Sequence, residues 1–132
     1  MSAPDRPSWP AVNDPDIVRE IEALVLRYER ALMENDLAVL DELFWESPRT
    51  VRFGARETLY GAEAITAYRR QRGGAPPRVV VRIEITTFGD DTGIAHVEFR
   101  PQGGDRVGRQ TQFWARRPEG WRIASAHVSM QE

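Results

Sequence analysis

Apolar residues recur at every third or fourth position in the first part of the chain, which is the spacing of one face of an amphipathic helix. The first such stripe consists of Ile17, Ile21, Leu24, Tyr28 and Leu32. Asp14 can cap the start of this helix, and Pro15 suits its first position, where a missing N–H costs nothing. The pattern therefore predicts a helix that begins at Pro15 and whose apolar face includes Tyr28.

Two further helices are predicted before the middle of the chain. Asn35-Asp36 is a second start signal, and the apolar residues after it indicate a shorter helix that ends before Ser47-Pro48. A third helix is predicted over residues 62–72, because Gly73-Gly74 can end it and two prolines follow.

The second half of the chain is rich in valine, isoleucine and threonine and is divided by glycine-containing turns, which is typical of strands. Strands are predicted at residues 50–53, 57–60, 78–88, 94–100, 106–116 and 121–130. The last four follow one another through tight turns and form an antiparallel meander. Helices followed by such a meander predict an α+β fold, in which three N-terminal helices pack on a curved antiparallel sheet and enclose a pocket. Residues 1–13 are expected to form a flexible arm, and residues 14–132 a single domain.

Composition narrows the chemistry that the chain can perform. Its 132 residues include no cysteine and no lysine, so all 18 basic residues are arginine. This excludes thiolate nucleophiles, disulfides, Schiff-base lysines and the P-loop lysine. Only two histidines are present, so one chain cannot build a three-histidine zinc site. We expect neither a metal nor a cofactor. Because arginine stays charged and only donates hydrogen bonds, its abundance indicates the binding of carboxylates.

Net charge and hydropathy indicate where in the cell the protein is expected and which classes of partner it does not bind. The net charge of −2 gives no electrostatic footprint for nucleic acid or an anionic membrane. No apolar run approaches the length of a membrane span, and the polar, proline-rich start lacks the features of a secretory signal. We therefore expect a cytoplasmic protein that binds neither nucleic acid nor membranes.

Tyr28 and Arg52 each allow two interpretations. Tyr28 is either a core tyrosine with one hydrogen-bond partner or a hydroxyl that faces a pocket as an acid or donor. Arg52 lies between Val51 and Phe53 on a short strand, so it occupies the opposite face from them. If that face is outside, Arg52 is a solvated charge; if it is inside, the guanidinium needs an anion, because an unpaired buried charge is very costly. Glu57 lies close to Arg52 in sequence.

The long strands carry further polar candidates. Gln110, Gln112 and Trp114 share one face, which is either the wall of a polar pocket or an exposed or dimer-forming face. On the last strand, His127 is predicted to share a face with Trp121 and Ile123, as either a structural or a pocket histidine. His96 alternates with Ile94 and Glu98 and is expected at a surface or interface.

Several blocks together resemble the AtzH/HpxZ group of SnoaL-like proteins, within the nuclear-transport-factor-two-like superfamily. The blocks are residues 40–45, 48–54, 59–61, 107–112, 120–123 and 126–129. The resemblance covers roughly residues 14–130 in order and without large gaps. It departs from the group at Phe53, where tyrosine is also usual, and at Thr58, where asparagine is frequent.

The resemblance implies a cone-shaped fold that is usually a homodimer through its sheet. It also implies a setting in nitrogen catabolism beside an amidase-signature hydrolase, in the breakdown of small ureido acids such as oxalurate or the carboxylated ureas derived from cyanuric acid. For members of the triazine pathway it implies the conversion of 1,3-dicarboxyurea to allophanate. The proposed catalytic pair of the group falls on Tyr28 and Arg52. The remaining candidates for binding the substrate are Trp45, Glu57, Tyr60, Arg109, Gln110, Gln112, His127 and Ser129.

The resulting hypothesis is a metal-independent hydrolase or decarboxylase for a small anionic substrate. Arg52 would hold a carboxylate through two parallel hydrogen bonds, and Tyr28 would donate a proton or hydrogen bond as the C–N bond breaks. Two rival functions stay open. One is a non-catalytic accessory of an amidase; the other is an isomerase or cyclase of the ketosteroid-isomerase kind, which needs a carboxylate base in a larger apolar cavity.

Overall fold

The structure is a computed structural model that describes residues 9–132. The helices are α1 (Pro15–Glu34), α2 (Leu37–Leu43) and α3 (Ala62–Arg72), and the strands are β1 (Val51–Phe53), β2 (Thr58–Tyr60), β3 (Arg78–Phe88), β4 (Thr92–Pro101), β5 (Gly108–Arg117) and β6 (Gly120–Met130). No helix within this range is both long and apolar enough to cross a bilayer.

The predicted start signals of the first two helices are confirmed. A side-chain oxygen of Asp14 accepts the Asp16 N–H at 3.0 Å, and one of Asp36 accepts the Val39 N–H at 3.2 Å. These bonds satisfy backbone donors that have no partner inside the helix. The second helix ends earlier than predicted, because the backbone is extended at Phe44 and bridges to β6.

The strands form one six-stranded sheet in the order β2-β1-β6-β5-β4-β3. β3 to β6 are the predicted antiparallel meander, but β1 runs parallel to β6, so the expectation of a wholly antiparallel sheet was wrong. The chain between β1 and β6 includes α3 and most of the meander. A connection of this length lets two neighbouring strands run in the same direction, which a tight turn does not.

The end of the predicted arm is fastened to the sheet. The N–H of Asn13 donates to the Thr87 carbonyl at 3.1 Å, and the Asn13 side-chain oxygen accepts the Thr87 N–H at 2.8 Å. The Gly89 N–H also donates to the Ala11 carbonyl at 2.8 Å. Residues 11–13 are therefore held beside β3, whereas residues 1–8 of the predicted arm lie outside the described residues.

A β-bulge in β6 decides which of its side chains face the helices. Phe113 of β5 pairs with Ser125, whereas the next residue, Trp114, pairs with Ile123. Ala124 is therefore an extra residue, and the alternation of inner and outer side chains reverses across it. The inner face of the sheet and the three helices enclose the core, which includes Ile21, Val25, Leu40, Ile65, Trp114 and Ile123.

Candidate functional site

A cavity of about 440 Å³ lies between α1, α3 and the inner face of the sheet. Its lining comprises Tyr28, Leu32, Arg52, Ala55, Arg56, Glu57, Tyr68, Arg72, Gly74, Ala75, Pro76, Pro77, Arg78, Phe99, Pro101, Val128 and Met130. Its volume falls within the range of small-molecule sites in proteins. Tyr28, Arg52 and Glu57 are the predicted site residues that reach it.

The charged side chains that line this cavity are mostly positive. Arg52, Arg56, Arg72 and Arg78 line it, and Glu57 is the one carboxylate among its described lining residues. The chain as a whole has a net charge of −2, so this positive charge is local rather than general. A small ligand that carries one or two negative charges is the chemical complement of such a site.

A wider depression of about 1060 Å³ lies on the other side of α3 and has the opposite charge. Its lining includes Asp41, Glu42, Glu46 and Glu63, against one arginine, Arg70. An anionic ligand would be repelled there. The arginine-lined cavity is therefore the candidate site.

Tyr28 lies on the inward face of α1 and is only 1% exposed. Its hydroxyl oxygen accepts a hydrogen bond from Nε2 of Gln110 at 3.3 Å. Burial alone would raise the pKa of Tyr28, but the positive charges of nearby arginines and the Gln110 hydrogen bond outweigh it, and the pKa is lowered. The arginines are Arg52, Arg78 and Arg69. A hydroxyl in this setting is a stronger acid than an ordinary tyrosine, because its phenolate is stabilised.

Arg52 faces the interior, which resolves its two interpretations. On β1 its neighbours Val51 and Phe53 are half-buried on the outer face, whereas Arg52 is 7% exposed. Its Nη1 donates to Oε1 of Glu57 at 2.6 Å. Gly54 makes room for this pair, since a Cβ there would lie 1.7 Å from the same oxygen.

The ion pair with Arg52 also affects the basicity of Glu57. Burial would raise the pKa of Glu57, but the hydrogen bond and the positive charge of Arg52 outweigh it and lower that pKa. Glu57 is therefore held as a carboxylate and is a weak proton acceptor.

Arg78 is a site residue that the sequence did not reveal. Its Nε donates to Oε2 of Glu29 at 3.0 Å, its Nη2 donates to the other oxygen of Glu29, and the same Nη2 lies 3.0 Å from Oε1 of Gln110. The guanidinium carbon lies 4.0 Å from the centre of the Phe99 ring. Glu29 was the one indication in the sequence. It directly follows Tyr28 beside the apolar stripe of the first helix, where a buried carboxylate needs a cationic partner.

Gly108 allows Phe99 to support Arg78. A Cβ at Gly108 would lie 2.3 Å from two ring atoms of Phe99, so the ring would have to move. We expect Gly108→Ala to lower the free energy of unfolding by about 1–3 kcal/mol, which is the usual cost of overpacking. Chemical denaturation would measure this loss. Gly104→Ala is the control, because the nearest atom to its Cβ would be 3.5 Å away, and an equal loss there would contradict the assignment.

Arg69 contributes charge from behind the cavity wall. It is 3% exposed, its guanidinium carbon lies 4.3 Å from the centre of the Phe44 ring, and its Nη1 lies 3.4 Å from Oδ1 of Asp41. Its Nη2 is buried and has no acceptor within residues 9–132. Burial lowers the pKa of Arg69. The last turn of α3 also carries Arg70 and Arg72, and nothing in the sequence indicated that Arg69 would turn inward.

Most of the predicted substrate-binding residues do not line the cavity, and Trp45, Tyr60 and Gln112 are the first three. Trp45 packs at the end of α2, with the Arg117 guanidinium carbon 5.4 Å from its ring centre. Tyr60 is 67% exposed and lines the acidic depression. Gln112 lies deeper in the core, where its Oε1 accepts the Trp114 indole N–H at 3.0 Å.

The alternation along β5 separates its polar candidates. Gln110, Gln112 and Trp114 share one face, as predicted, and the structure shows that it is the buried inner face, where Gln110 lies directly behind Tyr28. Arg109 lies between buried positions and is exposed on the outer face, where its Nε donates to the Ser129 hydroxyl at 3.3 Å. Neither Arg109 nor Ser129 reaches the cavity.

The predicted orientation of His127 was wrong. The bulge at Ala124 places His127 on the outer face, opposite to Trp121 and Ile123, and its ring packs edge-on to Phe53 with centroids 5.6 Å apart. The inner side chains of this part of β6 are instead apolar, and two of them, Val128 and Met130, line the cavity. His96 is exposed, as expected, and its Nδ1 lies 3.2 Å from the Thr111 hydroxyl.

Several solved structures are similar to this chain. One is a protein of unknown function of the DUF3225 family from Pectobacterium atrosepticum, with 48% identity, a TM-score of 0.87, and coverage of 92% of this chain and 95% of that one. Another is a cystatin-like fold protein from Burkholderia xenovorans, with 44% identity, a TM-score of 0.87, and coverage of 93% and 97%. An NTF2-like protein from Pseudomonas putida has 20% identity, a TM-score of 0.74 and coverage of 88% and 87%, and shows the fold alone.

These likenesses confirm the expected superfamily fold, here three helices on a mixed sheet that does not close. No curated protein matches the chain. The AtzH-like family model, however, matches residues 10–132, which include all the elements that build the cavity. The chain therefore belongs to the AtzH-like family.

Proposed function

We propose that this protein decarboxylates or hydrolyses a small carboxylated urea, of the 1,3-dicarboxyurea or oxalurate kind, in nitrogen catabolism. The observation that carries the proposal is that Tyr28 and Arg52 face one cavity in which four arginines oppose one carboxylate. A planar ureido dianion has the size and charge that this lining complements. The same pair is the one that the resemblance implied.

Donors for the substrate are available on two of the arginines. Arg52 uses Nη1 for Glu57, and its Nε and Nη2 donate to no side chain within residues 9–132. Arg78 uses Nε and Nη2, and its Nη1 has no partner in the same range. Two carboxylates of one substrate could therefore each accept hydrogen bonds from a different guanidinium.

Decarboxylation fits the acidity of Tyr28. In the proposed step, Tyr28 gives its proton to the nitrogen of the N-carboxy group. The C–N bond breaks, its electron pair goes to that nitrogen, and the carboxylate carbon leaves as CO2. One negative charge moves from the carboxylate to the phenolate, and both positions lie among the same arginines, so little charge stabilisation is lost during the step. A proton from water then restores the hydroxyl.

Hydrolysis and isomerisation both need a base, which this cavity provides poorly. Glu57 is the one carboxylate among its described lining residues, and the ion pair with Arg52 lowers its pKa. Isomerisation of the ketosteroid kind needs a pocket carboxylate that is free to act as base, and Glu57 is paired with Arg52. Decarboxylation is therefore the preferred reaction, and hydrolysis is the second candidate.

A panel of substrates tests this proposal. Purified protein would be incubated with fresh 1,3-dicarboxyurea, oxalurate and allophanate, and CO2, bicarbonate and ammonia would be followed beside buffer alone. We expect accelerated CO2 release from 1,3-dicarboxyurea without ammonia. Bicarbonate as the first product would indicate hydrolysis instead. Rates equal to buffer with every compound would contradict catalysis, and the accessory role beside an amidase would then be the better account.

A further inference from the structure

The orientation of the Gln110 amide is decided by its two neighbours. Arg78 has only donors, and its Nη2 lies 3.0 Å from Oε1 of Gln110, so this amide oxygen must face Arg78. The amide nitrogen then faces Tyr28, where it donates to the hydroxyl oxygen at 3.3 Å. Gln110 can therefore donate to Tyr28 but cannot accept its proton.

The charged groups near Tyr28 cannot accept its proton either. Arg52, Arg69 and Arg78 lower the pKa of Tyr28 through their positive charge, and arginine has no hydrogen-bond acceptor. Within residues 9–132 the hydroxyl donates to no side chain, and Tyr28 lines the cavity. The proton of Tyr28 is consequently directed towards the cavity and not into the core.

A buried chain of contacts keeps Gln110 in this orientation. Glu29 accepts two hydrogen bonds from Arg78, and the side chains of both residues are 9% exposed. Glu29 follows Tyr28 directly on α1, so the chain of contacts Tyr28–Gln110–Arg78–Glu29 begins and ends on one turn of helix. Rotation of the Gln110 amide would place its NH2 group against the donor-only guanidinium, which is unfavourable.

We infer that Gln110 is a positioning residue for Tyr28. The Arg78–Glu29 pair fixes the Gln110 amide, so that the Tyr28 hydroxyl accepts a hydrogen bond from Gln110 and donates its own proton into the cavity. Gln110 does not line the cavity and need not contact the substrate. Its role in turnover rests on the proposed function, but its effect on Tyr28 exists without any substrate.

The test is to titrate Tyr28 directly in the free protein. The chain has three tyrosines, so NMR of protein labelled at the tyrosine ring carbon that bears the hydroxyl gives few signals, and Tyr28→Phe assigns the one of interest. Gln110→Met removes the N–H donor with an unbranched side chain of similar length. Gln110→Glu keeps the shape but replaces the donor with a carboxylate that can accept the Tyr28 proton.

We expect both substitutions to raise the pKa of Tyr28, with the larger rise in Gln110→Glu. For Gln110→Glu the proton affinity should increase about tenfold or more, which is about one pH unit. Gln112→Met is the matched control, since Gln112 is equally buried on the same strand but bonds to Trp114. That variant should titrate like the wild type.

Two results would overturn the inference: an unchanged Tyr28 titration in both Gln110 variants, or an equal change in Gln112→Met. If Gln110→Met does not fold, the isosteric Gln110→Glu decides alone. In an active enzyme the alkaline decline of kcat should move with the Tyr28 titration. A protein that turns over no ureido acid but still shows the shift would contradict the proposed function and leave this inference standing.

Discussion

Replacing Tyr28 with phenylalanine should reduce the rate of CO2 release from the substrate by about 10²- to 10⁴-fold, the usual contribution of a positioned acid. The expected loss is in kcat, because the hydroxyl transfers its proton in the reaction step. The fold should persist, since the hydroxyl makes one hydrogen bond to Gln110, whose loss costs about 1 kcal/mol. Initial rates and thermal unfolding of both proteins would measure the two effects.

The pH dependence of the wild type provides a second check on Tyr28. A general acid must carry its proton, so the rate should fall as pH rises through its pKa. Because that pKa is lowered, the fall should begin below the value of about 10 that is usual for tyrosine. A Tyr28→Phe protein that keeps wild-type kcat, or the same alkaline decline, would contradict the role of Tyr28 as the acid.

Replacing Arg52 with lysine should raise KM by about 10- to 100-fold. Lysine preserves the positive charge but not the planar pair of donors that matches a carboxylate, and each charge-assisted hydrogen bond contributes about 1.5–3 kcal/mol. Steady-state kinetics would show the change. Glutarate, a stable dicarboxylate of similar length, should also bind more weakly to the variant in calorimetric titration.

Arg109→Lys is the matched control for this substitution. Arg109 lies on the same sheet but on its outer face, where it bonds to Ser129. The same chemical change there should leave KM and glutarate binding unchanged. Equal effects of the two substitutions would contradict a specific role of the planar Arg52 donors in binding.

The sequence predicted the inward position of Tyr28 well because helical periodicity is a local property. Its spacing from Ile21 and Leu24 places it on the apolar face of α1 whatever else the fold does. The face of Arg52 could not be decided in the same way. A three-residue strand fixes which side chains share a face, but only its pairing with β6 and β2 decides which face is inside.

The outer position of His127 was beyond local reasoning for a different reason. Strict alternation from Trp121 predicts an inward histidine, and one extra residue at Ala124 reverses it. No glycine or proline marks this bulge in the sequence. Ser129 follows the same reversal and lies on the outer face with His127.

The contacts of Arg78 were missed because they join distant parts of the chain. Glu29 and Gln110 are brought to Arg78 only when α1 packs on the sheet beside β3 and β5. The amino-acid composition nevertheless indicated that arginines would form the binding site. A chain whose cations are all arginine was expected to bind carboxylates, and four arginines line the cavity.

CO2 release from fresh 1,3-dicarboxyurea, with wild-type protein, Tyr28→Phe and Arg109→Lys measured side by side against buffer, tests the central claim most directly. The account predicts acceleration by the wild type and by Arg109→Lys, and a rate close to that of buffer with Tyr28→Phe. Equal rates in all four samples would contradict the claim that the arginine-lined cavity is a catalytic site for this substrate.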